Sequence, residues 1–236
     1  MKNRVISIIS LKGGVGKTTI SSNLAYLLSK QFNHKTLAMD SNLSAPGLGI
    51  HFGIVEPHKK RTTHAILKDH KAIDDAIHHY EQLHVIPAAL NNEPVNISLL
   101  PNIVHNLKNK YDVVILDSSP AFSHDFVSSL HGSDSSILVT TPDYNSLANV
   151  LQTIKIADQV GAHILGIIVN KKHNKSHELT NKNIAEITGK KILGTIRNDK
   201  NIAKALSKTM PLTKYKPNSK ASKDLTKIAQ ILSKIN

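Results

Sequence analysis

The sequence predicts an α/β protein built as a three-layer, doubly wound, mainly parallel sheet. Three observations lead there. Short apolar runs of strand length alternate along the chain with stretches whose apolar residues recur at helical spacing. Several runs end on a polar residue, as at Asp40, Asp117 and Asn170, and in open α/β sheets ligands bind at the carboxyl ends of the strands. The 236 residues contain no Pro/Gly/Ser-rich linker and no internal repeat, so a single domain over 1–236 is expected.

The first apolar run, 5–10, leads into Lys12-Gly-Gly-Val-Gly-Lys17-Thr18-Thr19, after which Ile20, Leu24, Leu27 and Leu28 share one helical face. Strand, glycine-rich turn and helix make a cradle for polyphosphate. Gly13, Gly14 and Gly16 let the backbone curl with its N–H groups inward, and the helix adds the positive end of its dipole. In such a phosphate loop Lys17 reaches the β and γ phosphates and the Thr18 hydroxyl holds Mg²⁺. The general pattern G-x-x-x-x-G-K-[ST] is not met, because Leu11 stands at its first glycine; an added lysine, Lys12, opens the motif instead.

The remaining elements follow in order. Residues 35–40 form a buried-type strand that places Asp40 on the phosphate side, and 41–53, rich in small residues, is expected as a mobile loop beside the nucleotide. Helical patterns are expected over 62–68 and 72–79, making His78 and His79 a solvated helix end, then a strand over 83–87 and a helix over 97–108. The strand 111–117 ends in Asp117, which suits the magnesium side of a phosphate-loop nucleotidase, the P-loop NTPase fold. Beyond it come strand 135–142, helix 146–160, strand 163–170 ending in an amide able to read a base edge, helix 176–188, strand 191–196 and helix 200–208. In the last helix, 220–235, Ala221, Leu225, Ile228, Ala229, Leu232 and Ile235 form one stripe. Having no aromatic residue, it is expected to pack on the sheet in preference to lying on lipid.

Composition narrows the chemistry. Without a single cysteine the chain has no disulfide, thiolate metal site, iron–sulfur ligand or cysteine nucleophile. The 14 histidines show no metal-ligand spacing. No run is long enough to span a membrane, so a cytoplasmic protein is expected. The formal charge of +13 suggests a polyanionic partner, although only Arg4, Arg61 and Arg197 are arginines among the 30 basic residues. Lysines spread in this way serve non-specific phosphate attraction; they equally serve a merely soluble surface.

With these motifs in place, the chain resembles the MinD/ParA family of deviant Walker A P-loop ATPases, more closely its MinD branch. The likeness is carried by KGGVGKTT, DSNLSAPGLGIHFG, YDVVILDSSP, SILVTTPDYNSL, GIIVNK and ILGTI, in this order. It implies an ATPase using ATP and Mg²⁺ that is a sandwich homodimer with ATP and a monomer with ADP. It further implies that Lys12 crosses to the partner's phosphates, that Gly13, Gly14, Val15, Gly16, Lys17, Thr18 and Thr19 hold the nucleotide, that Asp40 and Asp117 serve the Mg²⁺ side with Thr18, and that Asn170 contacts adenine.

Where the family usually has Asp-x-Asp, this chain has Asp40-Ser41-Asn42. An asparagine can orient water but cannot take up its proton, so hydrolysis through Lys12, Lys17, Asp40 and Asn42 is expected to be slow and not abolished. Arg197 replaces a proline that many relatives place next to the adenine, and it is left out of the base-binding set. The amphipathic membrane helix that bacterial MinD proteins carry beyond the last core helix is not expected after 220–235. The function implied is a dimerisation switch that positions cellular machinery on a membrane or protein surface, with an activating protein partner. The alternative is a ParA-like ATPase binding DNA non-specifically for chromosome or plasmid partitioning. A peripheral place on membrane or nucleoid therefore stays open. Iron–sulfur carriers on the same fold are excluded by the missing cysteines.

Overall fold

The computed structural model describes residues 3–69, 73–90 and 94–235. Among them, one sheet holds β1 (Arg4–Ile9), β2 (Thr36–Asp40), β3 (His78–Tyr80), β4 (Leu83–Ile86), β5 (Val113–Asp117), β6 (Ser135–Thr140), β7 (Ile164–Lys172) and β8 (Ile192–Arg197). Their order is β3-β4-β2-β5-β1-β6-β7-β8. All neighbours run parallel except β3 and β4. The helices are α1 (Lys17–Lys30), α2 (Thr63–Lys68), α3 (Leu100–Lys108), α4 (His124–His131), α5 (Tyr144–Gln159), α6 (Asn181–Thr188), α7 (Asn201–Leu206), α8 (Leu212–Tyr215) and α9 (Lys220–Ser233).

Strands covered on both faces are mostly apolar on both, which is why their runs read as near-continuous, broken by buried hydroxyls such as Ser7 and Ser136, hydrogen-bonded to each other at 2.7 Å. Ile6 and Ile8 of β1 face one cluster with residues of α1, α8 and α9, whereas Val5 and Ile9 face the opposite clusters with residues of α2 to α6. Three layers result, as the alternation predicts. The stripe of α9 is core: Ala221, Leu225, Ile228, Ala229 and Leu232 are buried, and α9 packs on β8 and α1. Contact there is close enough to require a glycine, since a Cβ on Gly194 would lie 2.5 Å from Ile228 Cγ1. Burying Leu225, Ile228 and Leu232 contributes about 1.5–3 kcal/mol each.

The differences from expectation are local. The expected helix over 72–79 is absent in its described part: residues 73–76 are turn, and His78 and His79 belong to β3. Residues 70–72 lie outside the described set. Glu81 takes a left-handed backbone (φ 54°) and, with Gln82, closes a hairpin that pairs Tyr80 with Leu83. Tyr80 then meets Phe52 and Tyr26 edge-on, so tertiary contact overrides helical spacing. Helix α4 was not expected, yet Ser123 caps it by accepting the Phe126 N–H at 3.3 Å. The helix expected from 176 starts only at Asn181, where Thr180 and Asn183 form a capping box.

Candidate functional site

The central strand β1 has β5 on one side and β6 on the other, so the direction of winding reverses at its carboxyl end. That is the crevice in which this class of sheet binds ligands. The loop leaving β1 turns through Gly14 (φ 73°) and Gly16 (φ 99°), backbone angles that side chains with a Cβ avoid. Gly16 also has no room for a Cβ, because the Asn170 amide occupies the place. The first N–H donated within α1 is that of Ile20, to the Gly16 carbonyl at 3.0 Å. From Gly13 to Thr19 the backbone N–H groups find no acceptor among the described residues.

Lys17 is 7% exposed, and its ammonium makes no hydrogen bond or ion pair among the described residues. Burial lowers its pKa, and the Asp117 carboxylate opposes that only in part. A buried unpaired ammonium beside open N–H donors is a site built for an anion. Thr18 Oγ1 and Ser21 Oγ donate to the two oxygens of Asp117 at 2.7 and 2.8 Å. Burial raises the Asp117 pKa, against the hydrogen bonds of Thr18 and Ser21 and the charge of Lys17. No cluster of three or more metal-ligating residues occurs among the described residues. The Thr18 hydroxyl and the Asp117 carboxylate beside it are hard oxygen donors of the kind Mg²⁺ takes, one or two from the protein with phosphate and water for the rest. The residues present therefore fit both a polyphosphate and its Mg²⁺.

Asp40 lies beside Asp117 in register on the neighbouring strand, and both are wholly buried. Burial and the Asp117 charge raise its pKa. Its Oδ1 accepts the Asn42 N–H at 3.0 Å, and Oδ2 accepts those of Gly47 and Leu48, each at 3.0 Å. The segment expected to be a mobile loop is thus tied to Asp40. It does lie by the phosphate loop: a Cβ on Gly47 would be 3.7 Å from Thr18 Cγ2. Asn42 faces its own loop, with Nδ2 on the Ala45 carbonyl at 2.5 Å and Oδ1 accepting the Ala45 N–H at 3.3 Å.

Lys12 folds back onto its own chain. Its Nζ is 2.7 Å from Ser146 Oγ and 3.4 Å from Asp143 Oδ1, at the start of α5. Burial alone would raise the Asp143 pKa, but Thr141, Ser146 and the Lys12 charge bring it down to about 2. Asn170 donates to the Val15 carbonyl at 2.7 Å. Val15 itself is a core residue, and the Thr19 carbonyl accepts Asn23 Nδ2 at 2.7 Å. Arg197 is occupied by a two-point ion pair with Asp224 of α9, at 2.8 and 2.7 Å. Sequence reasoning missed Ser21, Asp143 with Ser146, and Lys171. The signals were present: a hydroxyl four residues after Lys17, the D-x-x-S cap in TTPDYNSL, and the residue next to Asn170.

A glycine turn at the central strand, a buried unpaired lysine and side-by-side carboxylates define a phosphate-loop nucleotide-binding protein, and residues 3–172 match the family described as AAA domain. Within that class, the chain belongs to the MinD/ParA family of P-loop ATPases. It is 32% identical over 233 residues to an uncharacterised ATP-binding protein of Methanocaldococcus jannaschii, spanning 97% of this chain and 88% of that one. A virulence plasmid ParA family protein of Chlamydia psittaci is 29% identical over 247 residues, covering 96% of this chain and 93% of that protein. The septum site-determining protein MinD of Pyrococcus horikoshii, solved with Mg-ADP, superposes with a TM-score of 0.91 at 28% identity, over 98% of this chain and 96% of that one. Among the described residues no helix is long and apolar enough to cross a membrane.

Proposed function

We propose that the protein is a slow Mg²⁺-dependent ATPase whose nucleotide state switches it between monomer and homodimer, and whose dimer positions other machinery on a surface. The observation that carries this reading is the contrast between two lysines of one motif. Lys17 is buried and unpaired at the loop, whereas Lys12 is held at 2.7 Å by Ser146 on the same chain. Lys17 and the N–H groups of the loop receive the phosphates, and Asn170, whose Oδ1 is left over, offers an acceptor to the base. Mg²⁺ would neutralise phosphate charge from the side of Thr18, Asp40 and Asp117.

Lys12 cannot serve a partner's phosphates while it rests on Ser146 and Asp143. Dimerisation then exchanges one set of anionic and hydroxyl partners for another, and a ligand preferring the dimer by roughly 3 kcal/mol shifts the balance more than a hundredfold. Asn42 cannot accept a proton and its amide is turned onto Ala45, which makes hydrolysis a slow timer for dissociation and gives an activating protein partner something to accelerate.

Size-exclusion chromatography of the wild type and Lys12→Ala with ADP and with ATP tests the switch. ATP should convert the wild type alone to a dimer; a wild type that stays monomeric with ATP overturns it. The charge of +13 keeps a second surface in play, non-specific DNA in place of a membrane or protein. ATP-dependent retention on DNA that falls steeply with salt would favour it over pelleting with anionic liposomes.

A further inference from the structure

Two consecutive side chains at the end of β7 reach the same loop, which a regular strand does not allow, because neighbouring residues point to opposite faces. Asn170 Nδ2 donates to the Val15 carbonyl at 2.7 Å, and Lys171 Nζ donates to the Gly14 carbonyl at 2.6 Å. The backbone makes this possible. Lys171 has φ 56°, the left-handed region that residues other than glycine rarely enter, and the β7–β8 register shifts between Val169 and Lys172. Such an irregularity re-aims a side chain at the rim of a sheet, and strain of this kind is kept only where the surroundings hold it.

The effect on the loop follows from the peptide group. A planar trans peptide points its N–H opposite to its C=O, so a hand on the oxygen fixes the hydrogen. Holding the Gly14 oxygen sets the direction of the Val15 N–H, and holding the Val15 oxygen sets that of Gly16. Both N–H groups lack an acceptor among the described residues. The geometry points to Asn170 and Lys171 as a two-pronged latch that presets the phosphate-binding N–H groups, with Lys171 as a positioning residue that acts on phosphate through the loop backbone and reads no base. This rests on the reading of the loop as a nucleotide site.

The test compares the full-length wild type with Lys171→Asn and Lys171→Arg, titrated with Mg-ADP and, separately, with tripolyphosphate, which carries no base. Asparagine tolerates the left-handed backbone but is too short to reach Gly14, so backbone strain is not the variable. Loss of a charged hydrogen bond should weaken both ligands in Lys171→Asn by about tenfold, and by the same factor. Lys171→Arg should recover most of it, with the melting temperature of the ligand-free protein unchanged in both variants. Wild-type affinity in Lys171→Asn overturns the latch, as does a loss for Mg-ADP without one for tripolyphosphate, which would assign Lys171 to the base. A wild type that binds neither ligand refutes the nucleotide reading itself, a result distinguishable from the first two.

Discussion

Asp40 and Asp117 end adjacent parallel strands in register, and each is wholly buried with its pKa raised, first of all by burial. What differs is the donor set. Asp117 is met by the hydroxyls of Thr18 and Ser21 on α1, and Asp40 by the backbone N–H groups of Asn42, Gly47 and Leu48. A hydroxyl can rotate and turn from donor to acceptor or metal ligand, but a backbone N–H can only donate. The same residue in the same structural position is thereby an adaptable group at the phosphate loop and a fixed anchor at the loop after β2. Position in the sheet brings a carboxylate to the crevice; its partners decide whether it is free to change them.

The largest break in this comparison is at the phosphate-loop end. Lys17→Met keeps the buried stem and removes the unpaired ammonium, so Mg-ATP affinity should fall by at least about a hundredfold while the ligand-free protein melts no lower than wild type. Calorimetric titration and a thermal melt read the two effects; a large drop in melting temperature would mean that the ammonium has a structural partner. Asp117→Asn comes next. Thr18 and Ser21 can each turn a hydroxyl to suit the amide, so the ligand-free fold should hold, whereas the gain in nucleotide affinity on adding Mg²⁺ should shrink by about tenfold.

The pH dependence follows from the direction of the shifts. A carboxyl whose folded pKa is raised keeps a proton that the unfolded chain has already released. Its contribution to stability is full below the unfolded value and is lost as pH rises through the folded one. Wild type minus Asp117→Asn, compared by urea unfolding without nucleotide, should therefore lose stability as pH rises above about 4. A difference that is flat with pH would place the charge elsewhere.

Much of this was legible because glycine, lysine and carboxylate at strand ends have few other uses. KGGVGKTT fixed the loop, and the apolar runs ending in Asp40 and Asp117 fixed two strand ends that meet there, whereas β7 runs past Asn170 to Lys172. What escaped was set by contacts between distant residues. Helical spacing at 72–79 could not reveal that Tyr80 would pair with Leu83 and lean on Phe52. Nor could the motif show that Lys12 would rest on Ser146, since 134 positions separate them. The substitution at Asn42 was visible, but its turn toward Ala45 was not, because an Asx turn depends on the backbone that follows.

Asn42→Asp sharpens the comparison at the other strand end. The aspartate keeps the acceptor for the Ala45 N–H but loses the donor to the Ala45 carbonyl, so it is freed toward solvent and can take a proton. Steady-state ATP hydrolysis should rise by about tenfold, below the hundredfold or more of full general-base catalysis, because phosphoryl transfer depends mostly on positioning. An unchanged or lower rate with the fold intact counts against a role for this position in the chemistry.

The smallest effect isolates the anchor itself. Asp125 of α4 accepts the Leu43 N–H at 3.1 Å and so ties the loop after β2 from outside the phosphate site. Asp125→Ala leaves that N–H without this partner and should lower stability by about 1 kcal/mol in a urea titration. Affinity for Mg-nucleotide should stay within about twofold of wild type, because the Asp117 end keeps its own donors on α1. If Asp125→Ala weakened nucleotide as much as Asp117→Asn, the two strand ends would be one coupled unit, and the division between an adaptable carboxylate and a fixed one would fall.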